Sequence, residues 1–533
     1  MLLGSKGFRH HKGVPDAFPS HVSIPSPSLR VAVPLAKGPA ATRPRPRAAS
    51  LVAEHAGRAA HGARRRPREA RPRALSPEPE LLNHAPVKVA GPDQSPVGDW
   101  IASNAVTALV ITALTAISGV LAARALGVTG RGELAAIQLW ATQLTPLALL
   151  GLGESLVYFA ARKRDEIPSL TATAIMIGLG GSVVAGIAGL FLIPWTLTAS
   201  SGRLVGPATT FLLAVPLAVA VGLAYCPLRA AGAFGTWNVL RTIQTTMWPA
   251  VLLIAWGLGR RDAVAISHFY LAGLSALLIL IAFRVRREFP GPLHASTRLG
   301  RELLAFGLPA LMATLPDAAN SRVDQIFVAA YWGVEPLGLY AVASTWSGAY
   351  ATLFSALVFV VVPHVARLSA VDQQKMEFLR LWRLGVLVAG VMALATAAVA
   401  PVMVPLLFGR QFSRASGLAV LLCLPSMLVV LRQLLAAGSL GLGRPRSLAQ
   451  ASTVALLVNV TLLWLLTPRS FLLGPPLSAA VAHAVGAALL LRDMRGHLAA
   501  RFTEFVPGIA DVAGLKSLLR SWTARPGDAS AEG

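Results

Sequence analysis

About twelve long apolar segments fill the chain between residues 97 and 492. Each is close in length to the roughly 20 residues that an α-helix needs to cross a bilayer. Because 54% of the 533 residues are hydrophobic and only 14% are charged, the composition excludes a soluble domain. The sequence therefore predicts an all-α, polytopic membrane protein of about 12 transmembrane helices. The predicted spans are 99–123, 133–160, 169–193, 206–231, 236–258, 263–284, 302–331, 336–362, 379–402, 414–439, 447–467 and 472–491.

The positions of the basic residues predict the orientation of the chain. The loops at 162–164, 284–301, 367–383 and 444–446 hold more Arg and Lys than the loops between them. The positive-inside rule assigns these loops, and with them both termini, to the cytoplasmic side. An even number of spans agrees with this orientation. We expect a multi-pass protein of the cytoplasmic membrane.

Two tails flank the apolar segments. Residues 1–96 are rich in Pro, Arg and Ala and lack apolar periodicity, so they predict a disordered basic N-terminal tail. One alternative is a solvated extension, including one that results from a start codon placed too early. The other is an arm that contacts anionic lipid. Residues 493–533 form a predicted cytoplasmic tail. Its segment 500–522 has the apolar spacing of an amphipathic helix, interrupted by Pro507 and Gly508, and a loosely ordered tail is the alternative.

A weak internal repeat divides the apolar region into two halves. One constant offset aligns Gly127, Val128, Gly132, Ala135 and Trp140 with Gly333, Val334, Gly338, Ala341 and Trp346. The same offset aligns Ala230, Ala231, Gly232, Gly235 and Gln244 with Ala436, Ala437, Gly438, Gly441 and Gln450. Six spans separate the copies, so both enter the membrane from the same side. This predicts two parallel six-helix lobes, 97–288 and 302–492, joined by a cytoplasmic linker at 289–301.

The seventh predicted span carries four polar side chains that would not be stable against lipid. Asp317, Asn320 and Asp324 are spaced i, i+3, i+7, which places them on one face of a continuous helix. Arg322 is two residues from Asp324, so it points to another side and cannot form its ion pair on the same helix. An ionisable group at the centre of a membrane helix costs about 2.5–3.5 kcal/mol, so these side chains are expected to face protein or a wet cavity. The same span contains two prolines, which are expected to interrupt it, Pro309 and Pro316.

Glu154 in the second span and Arg432 in the tenth complete the candidates for a substrate cavity. With the four polar residues of the seventh span they would form a partly cationic lumen for an anionic head group, which Arg suits because its guanidinium is planar and always charged. The alternative is that these residues pair to hold the two lobes together or extend to the interface. That alternative is favoured for Arg124, Arg229 and Arg241, each close to the end of a span.

No enzyme motif is present in the sequence. We find no GxxxxGK[ST], HExxH, paired CxxC or GxSxG pattern, and no extramembrane segment after residue 95 that could form a catalytic domain. Cys226 and Cys423 lie in apolar segments, where packing is expected in place of a disulfide or a metal site. We therefore expect no catalytic residue, no cofactor, no metal and no nucleic-acid partner. A membrane transferase with its site in short loops stays open.

Four segments resemble the polysaccharide (O-antigen type) flippase family. They are GRGELAAI after the first span, the Asp in SRVDQIFVA, GVEPLGLYAVAS, and PLLFGRQF after the ninth span. The resemblance rests on the order and spacing of these segments and covers about residues 97–492. The family belongs to the multidrug/oligosaccharidyl-lipid/polysaccharide exporter superfamily, with the lipid II flippases and the multidrug and toxin extruders. The resemblance implies two six-helix lobes that work by alternating access.

The resemblance also implies a substrate. It is an undecaprenyl-diphosphate-linked oligosaccharide, moved to the outer leaflet through a cationic cavity with which Arg322 is compatible. Candidate partners are membrane lipids, protons or Na⁺, and glycan-assembly proteins; Asp324 and Glu154 are candidates for an ion-coupling step. A cation-coupled exporter of drugs or metabolites stays open, as does a lipid II flippase, although that branch typically has two further spans. A glycan polymerase or membrane scaffold is less favoured, because no large outer loop is visible.

Overall fold

The computed structural model describes residues 95–366, 371–442, 444–508 and 511. Within these residues the secondary structure consists of α-helices and short 3₁₀ turns, without strands. The predicted N-terminal tail lies almost wholly outside them. The helices are α1 (Ser95–Leu149), α2 (Leu152–Arg162), α3 (Ile167–Ser201), α4 (Val205–Phe211), α5 (Ala214–Ala224), α6 (Cys226–Ala230), α7 (Phe234–Gly257), α8 (Ala263–Glu288), α9 (Thr297–Asn320), α10 (Val323–Trp332), α11 (Val334–Ala366), α12 (Val371–Phe408), α13 (Ala415–Gly441), α14 (Pro445–Leu466) and α15 (Gly474–His497).

Helices occupy all twelve predicted spans, which confirms the all-α membrane fold. In the described part of the chain, eight helical stretches are long and apolar enough to cross a membrane. The first of them, 107–162, contains most of the first predicted span and all of the second. The fifth, seventh and eighth predicted spans coincide with α7, with α9 and α10 together, and with α11.

Large apolar side chains on the outside of the bundle indicate where lipid would contact it. Phe191, Leu394, Ile279 and Trp195 are 70–75% exposed. In water such side chains would be costly, whereas hydrocarbon solvates them. The interior is filled by small and aliphatic side chains, and the two cysteines, Cys226 and Cys423, are buried and free as predicted.

The two copies of the predicted repeat share their local geometry. Gly127 breaks α1 with φ 70° and ψ −173°, and Gly333 separates α10 from α11 with φ 81° and ψ −165°. A side chain rarely adopts this positive φ, which explains glycine at both positions. The indole of Trp140 donates to the Thr196 hydroxyl at 2.9 Å, and that of Trp346 donates to the Thr396 carbonyl at 3.1 Å. Each tryptophan thus ties its span to the next one.

Gly132 and Gly338, the second glycine in each copy of the repeat, each pack directly against the backbone of the other copy. A methyl group on Gly132 would overlap the carbonyl oxygen of Val334, and one on Gly338 would overlap that of Val128. The contact is therefore reciprocal, because each repeat offers the same glycine and the same carbonyl to the other. Glycine at these two positions allows α1 and α11 to approach backbone to backbone.

The second set of aligned residues does not share a conformation. Gly232 follows the end of α6 with φ 80°, whereas Gly438 lies inside α13. The helix that ends the tenth span continues to Gly441, past the position where its counterpart stops. The repeat is therefore well supported around Gly127 and Gly333 and not around Gly232 and Gly438.

The chain after α15 returns to the N-terminal end of α12. Residues 502–505 form a 3₁₀ turn, with Phe505 buried and its carbonyl accepting from the Trp382 indole at 3.0 Å. Ion pairs join Lys375 to Glu504 at 2.9 Å and Arg383 to Asp511 at 3.1 Å. The described part of the predicted amphipathic segment therefore packs against α12 as a turn. Ion pairs hold it on both sides of Pro507. Residues 512–533 lie outside the described residues.

Candidate functional site

The seventh predicted span is two helices with a turn between them. α9 ends at Asn320, Arg322 has φ −145° and ψ 11°, and α10 begins at Val323. The predicted interruption at Pro309 and Pro316 is wrong, because α9 continues through both prolines. The prediction that Asp317, Asn320 and Asp324 share one face is also wrong, because it assumed a helix that continues through residue 324.

Asp324 is held by two donors. The Tyr340 hydroxyl on α11 donates to Oδ2, and the backbone N–H of Gln325 donates to Oδ1 at 2.9 Å. Tyr340 is fully buried. The two hydrogen bonds fix the position of the Asp324 carboxyl group. Asp324 thus contacts a hydroxyl from another helix and not the cation of an ion pair. Nothing in the spacing of the sequence points to Tyr340.

Arg322 lies at the turn and is exposed. Its Nη1 is 3.5 Å from the Gln325 Oε1, and no carboxylate in the described residues forms an ion pair with it. Its charge interacts with that of Arg131, which lies just after the glycine break in α1. The buried Nε of Arg131 has no hydrogen-bond partner. The charge of Arg322 also interacts with that of the Asp324 carboxyl, so the turn brings together two guanidinium groups and one carboxyl group.

Asp317 and Asn320 contact a different group of helices. Asp317 pairs with Arg432 of α13 at 2.8 Å, and the same Arg432 nitrogen donates to the Ser452 hydroxyl of α14 at 3.1 Å. Asn320 accepts from Asn459 of α14 at 2.7 Å. Arg432 and Asn459 are almost completely buried. These contacts tie α9, α13 and α14 together, so Asp317 and Arg432 join helices within the second predicted lobe and do not join the two lobes.

Three atoms of this buried polar group lack a protein partner. They are Arg432 Nε, Asn459 Oδ1 and His483 Nδ1. His483 belongs to α15 and is only 8% exposed. Buried polar atoms of this kind are normally satisfied by ordered water. The group therefore has the character of a hydrated polar core.

Glu154 does not join either group. It pairs with Arg229 at 3.3 Å, and both side chains are exposed. Arg241 lies over the Trp237 ring at 4.4 Å, and Arg124 donates to two backbone carbonyls at the end of α12. Arg124, Arg229 and Arg241 thus make the structural contacts predicted for them. In the described residues no three His, Cys, Asp or Glu side chains are grouped as metal ligands.

The six predicted candidates therefore separate into three places. Arg322 and Asp324 lie at the turn between α9 and α10, where they meet Tyr340 and Arg131. Asp317, Asn320 and Arg432 form the buried polar group, and Glu154 lies on the surface. Arg131 falls between the first and second predicted spans. Its position in the repeat, directly before Gly132, is the one signal that could have pointed to it.

Comparison with known proteins was made by sequence and by structure. The model of a family described as "Polysaccharide biosynthesis protein" matches residues 121–417. No curated protein matches the sequence. Among solved structures, the lipid II flippase MurJ in an inward closed conformation has a TM-score of 0.63 at 14% identity, covering 78% of this chain and 91% of that one.

Two further solved structures belong to the same superfamily. A multidrug resistance MATE family transporter in an inward-facing conformation has a TM-score of 0.56 at 14% identity, with 74% of this chain and 98% of that one covered. A MOP superfamily transporter from Pyrococcus furiosus has a TM-score of 0.51 at 13% identity, with 75% and 96% covered. At such identities the likeness establishes a shared fold.

Proposed function

Because the chain belongs to the polysaccharide biosynthesis protein family, we propose that it is a flippase for a lipid-linked oligosaccharide. The substrate would carry an undecaprenyl diphosphate and move from the cytoplasmic to the outer leaflet by alternating access. The protein would lie in the cytoplasmic membrane with both termini inside. Its two lobes, 97–288 and 302–492, would open alternately to either side. The family match and the fold shared with a lipid flippase and with multidrug transporters support this proposal.

The observation that carries the proposal is the approach of Arg131 and Arg322. Both are cations, neither forms an ion pair with a carboxylate in the described residues, and a buried nitrogen of Arg131 is unpaired. With Asp324 beside them the group carries one more positive charge than negative, and like charges repel, so a bound anion would stabilise it. A diphosphate offers oxygens to both guanidinium groups at once.

The acids favour an anionic substrate over a cationic one. A pump for cationic drugs needs carboxylates that are free to meet its substrate. Here Asp317 pairs with Arg432, Asp324 accepts from Tyr340, and Glu154 pairs with Arg229. The polar residues available to a substrate are therefore predominantly basic. A cation-coupled exporter of small molecules is the second candidate, since MATE transporters share the fold.

The physical task of such a flippase is to replace water around the head group. Sugar hydroxyls and a diphosphate lose their hydration in hydrocarbon, at a cost far above thermal energy. A cavity with fixed guanidinium donors would supply part of that solvation while the prenyl chain stays in the bilayer. An inside-negative membrane potential drives anions outward by about 2.3 kcal/mol per charge per 100 mV. A diphosphate therefore has a directional driving force without nucleotide hydrolysis.

Ion coupling would involve Asp324 more readily than Glu154. Asp324 is enclosed by Tyr340 and Gln325, whereas Glu154 is exposed and paired with Arg229. Asp324→Asn and Glu154→Gln variants can be compared for glycan export under imposed proton and Na⁺ gradients. If Asp324→Asn retained full export and full gradient dependence, Asp324 would have no coupling role.

The proposal is tested by flipping of a fluorescent prenyl-diphosphate oligosaccharide in proteoliposomes. Arg322→Gln and Arg131→Gln should each slow flipping by about tenfold or more, since each removes a charge-assisted contact of about 1.5–3 kcal/mol. Arg414→Gln is the matched control, because Arg414 is exposed and pairs only with exposed Glu335. Unchanged flipping in both arginine variants would contradict the proposal. Gradient-driven export of a cationic dye that survives both substitutions would favour the second candidate.

A further inference from the structure

A depression of about 560 Å³ lies where the end of α12 meets α1. Its lining combines apolar side chains, two arginines and an amide, and it contains no acidic residue. The lining residues are Arg124, Val402, Pro405, Leu406, Phe408, Gly409, Arg410 and Gln411. The depression is distinct from the site at Arg131 and Arg322, whose residues do not line it. By the predicted orientation it opens at the outer end of the bundle.

The backbone fixes the basic side of this depression. α12 ends at Phe408, and Gly409, with φ 111°, turns the chain into a 3₁₀ turn over Arg410–Phe412. Phe412 is fully buried and anchors the turn. Gln411 is held over Gly127, where a methyl group would lie 3.3 Å from its Oε1. Arg410 is therefore presented from a rigid turn.

Arg124 reaches the same depression from α1. It donates through Nε to the Leu407 carbonyl and through Nη2 to the Leu406 carbonyl, both at 2.6 Å. These bonds satisfy two carbonyls at the C-terminal end of α12, where a cation is also favoured by the helix dipole. They leave Nη1 of Arg124 as a further donor. Two cations thus flank one depression.

The opposite side of the depression is apolar and continuous with the outside of the bundle. Val402 is 62% exposed and Leu406 is 59% exposed, one turn apart on α12. Side chains with this exposure would lie against lipid chains in a membrane. The depression therefore presents an apolar wall next to a pair of cations, which is the pattern of a phosphate group attached to a hydrocarbon chain.

We propose that this depression binds a lipid through its phosphate head group, with Arg410 and Arg124 on the phosphate and the lipid chain along Val402 and Leu406. This inference is independent of the transport activity proposed above. Two sources share the required chemistry, a bulk anionic phospholipid and a prenyl phosphate. A lipid in this position would bridge α1 and α12 and hold their ends together.

The test is native mass spectrometry of the delipidated full chain, titrated separately with phosphatidylglycerol, undecaprenyl phosphate and uncharged diacylglycerol. The parent should bind one phosphate lipid more tightly than any further copy. Arg410→Gln should weaken that first binding by about tenfold, which corresponds to the about 1.4 kcal/mol expected for one charge-assisted contact. Arg124→Gln should weaken it similarly.

Arg469→Gln is the matched control. Arg469 is also an exposed arginine that donates to a backbone carbonyl at the end of a helix, that of Leu465, but it lies outside the depression. Loss of affinity for both phosphate lipids in Arg410→Gln, and not in Arg469→Gln, supports a general phosphate-lipid site. Loss for undecaprenyl phosphate alone supports a site for the prenyl lipid. Equal affinities in the parent and Arg410→Gln, or diacylglycerol binding as tightly as phosphatidylglycerol, would overturn the proposal.

Discussion

The reciprocal glycine contact between the two repeats gives a sharp prediction for Gly338→Ala. The added methyl group would overlap the carbonyl oxygen of Val128 and lie 3.0 Å from the amide nitrogen of Gly132. Both neighbours are backbone, so no side chain can rotate away. The two segments would have to separate by about 1 Å, which places the cost at the upper end of the about 1–3 kcal/mol for overpacking.

The measurement is thermal unfolding of the purified protein in detergent, followed by tryptophan fluorescence. At about 2 °C per kcal/mol for a large domain, a cost of about 3 kcal/mol lowers the midpoint by roughly 6 °C. Gly132→Ala, which meets the Val334 carbonyl, should lower it at least as much.

Gly348→Ala is the control on the same helix. A methyl group at Gly348 would meet nothing within 4 Å, so the gain in helix propensity should stabilise the protein by about 0.5–1 kcal/mol. If Gly338→Ala and Gly132→Ala melted within 1 °C or so of the parent while Gly348→Ala behaved as expected, the close backbone contact would not exist as described.

Three further predictions concern the polar residues. Asp317→Asn leaves the charge of buried Arg432 without its partner and should destabilise by about 2 kcal/mol, less than for a fully buried pair because Asp317 is 37% exposed; adding Arg432→Met should restore the unfolding midpoint. Tyr340→Phe removes a donor to Asp324, worth about 1.5–3 kcal/mol for a charged acceptor, and should slow flipping and alter its pH profile, whereas a purely structural role would leave that profile unchanged. The Arg501 backbone N–H, and then Lys375, hold the pKa of the Glu504 carboxyl below its ordinary value of 4.5, so docking of the tail should be strongest above that pH and weaken as pH falls through the lowered pKa. Hydrogen exchange at residues 502–506, followed from pH 7 down to about pH 2.5 and corrected for intrinsic exchange, measures this docking, and Glu504→Gln should remove its pH dependence.

The sequence predicted the helices well because a bilayer imposes one dominant requirement, about 20 apolar residues per span. It also predicted the repeat around Gly127 and Gly333, because a positive φ restricts the residue type so strongly. It did not predict the break in the seventh span. Ser321 and Arg322 carry no helix-breaking signal, while the prolines upstream remain helical.

The partners within the candidate site were beyond sequence reasoning for a different reason. Spacing along one helix shows which side chains share a face, but it does not show which other helix lies opposite. Tyr340 reaches Asp324, and Arg131 approaches Arg322, only through packing of helices far apart in sequence. The predicted loop position of Arg131 gave no reason to place it beside a residue of the seventh span.

The reciprocal contact of Gly132 and Gly338 has a consequence for the history of the chain. Gly132 meets the Val334 carbonyl and Gly338 meets the carbonyl of the equivalent residue, Val128, which is the relation found across a two-fold axis in a homodimer. A single ancestral repeat could therefore have used this contact to pair with a second copy of itself. Duplication and fusion would then have preserved the contact while each copy diverged. Glu154 and Arg432, for example, lie at positions that do not correspond in the two repeats.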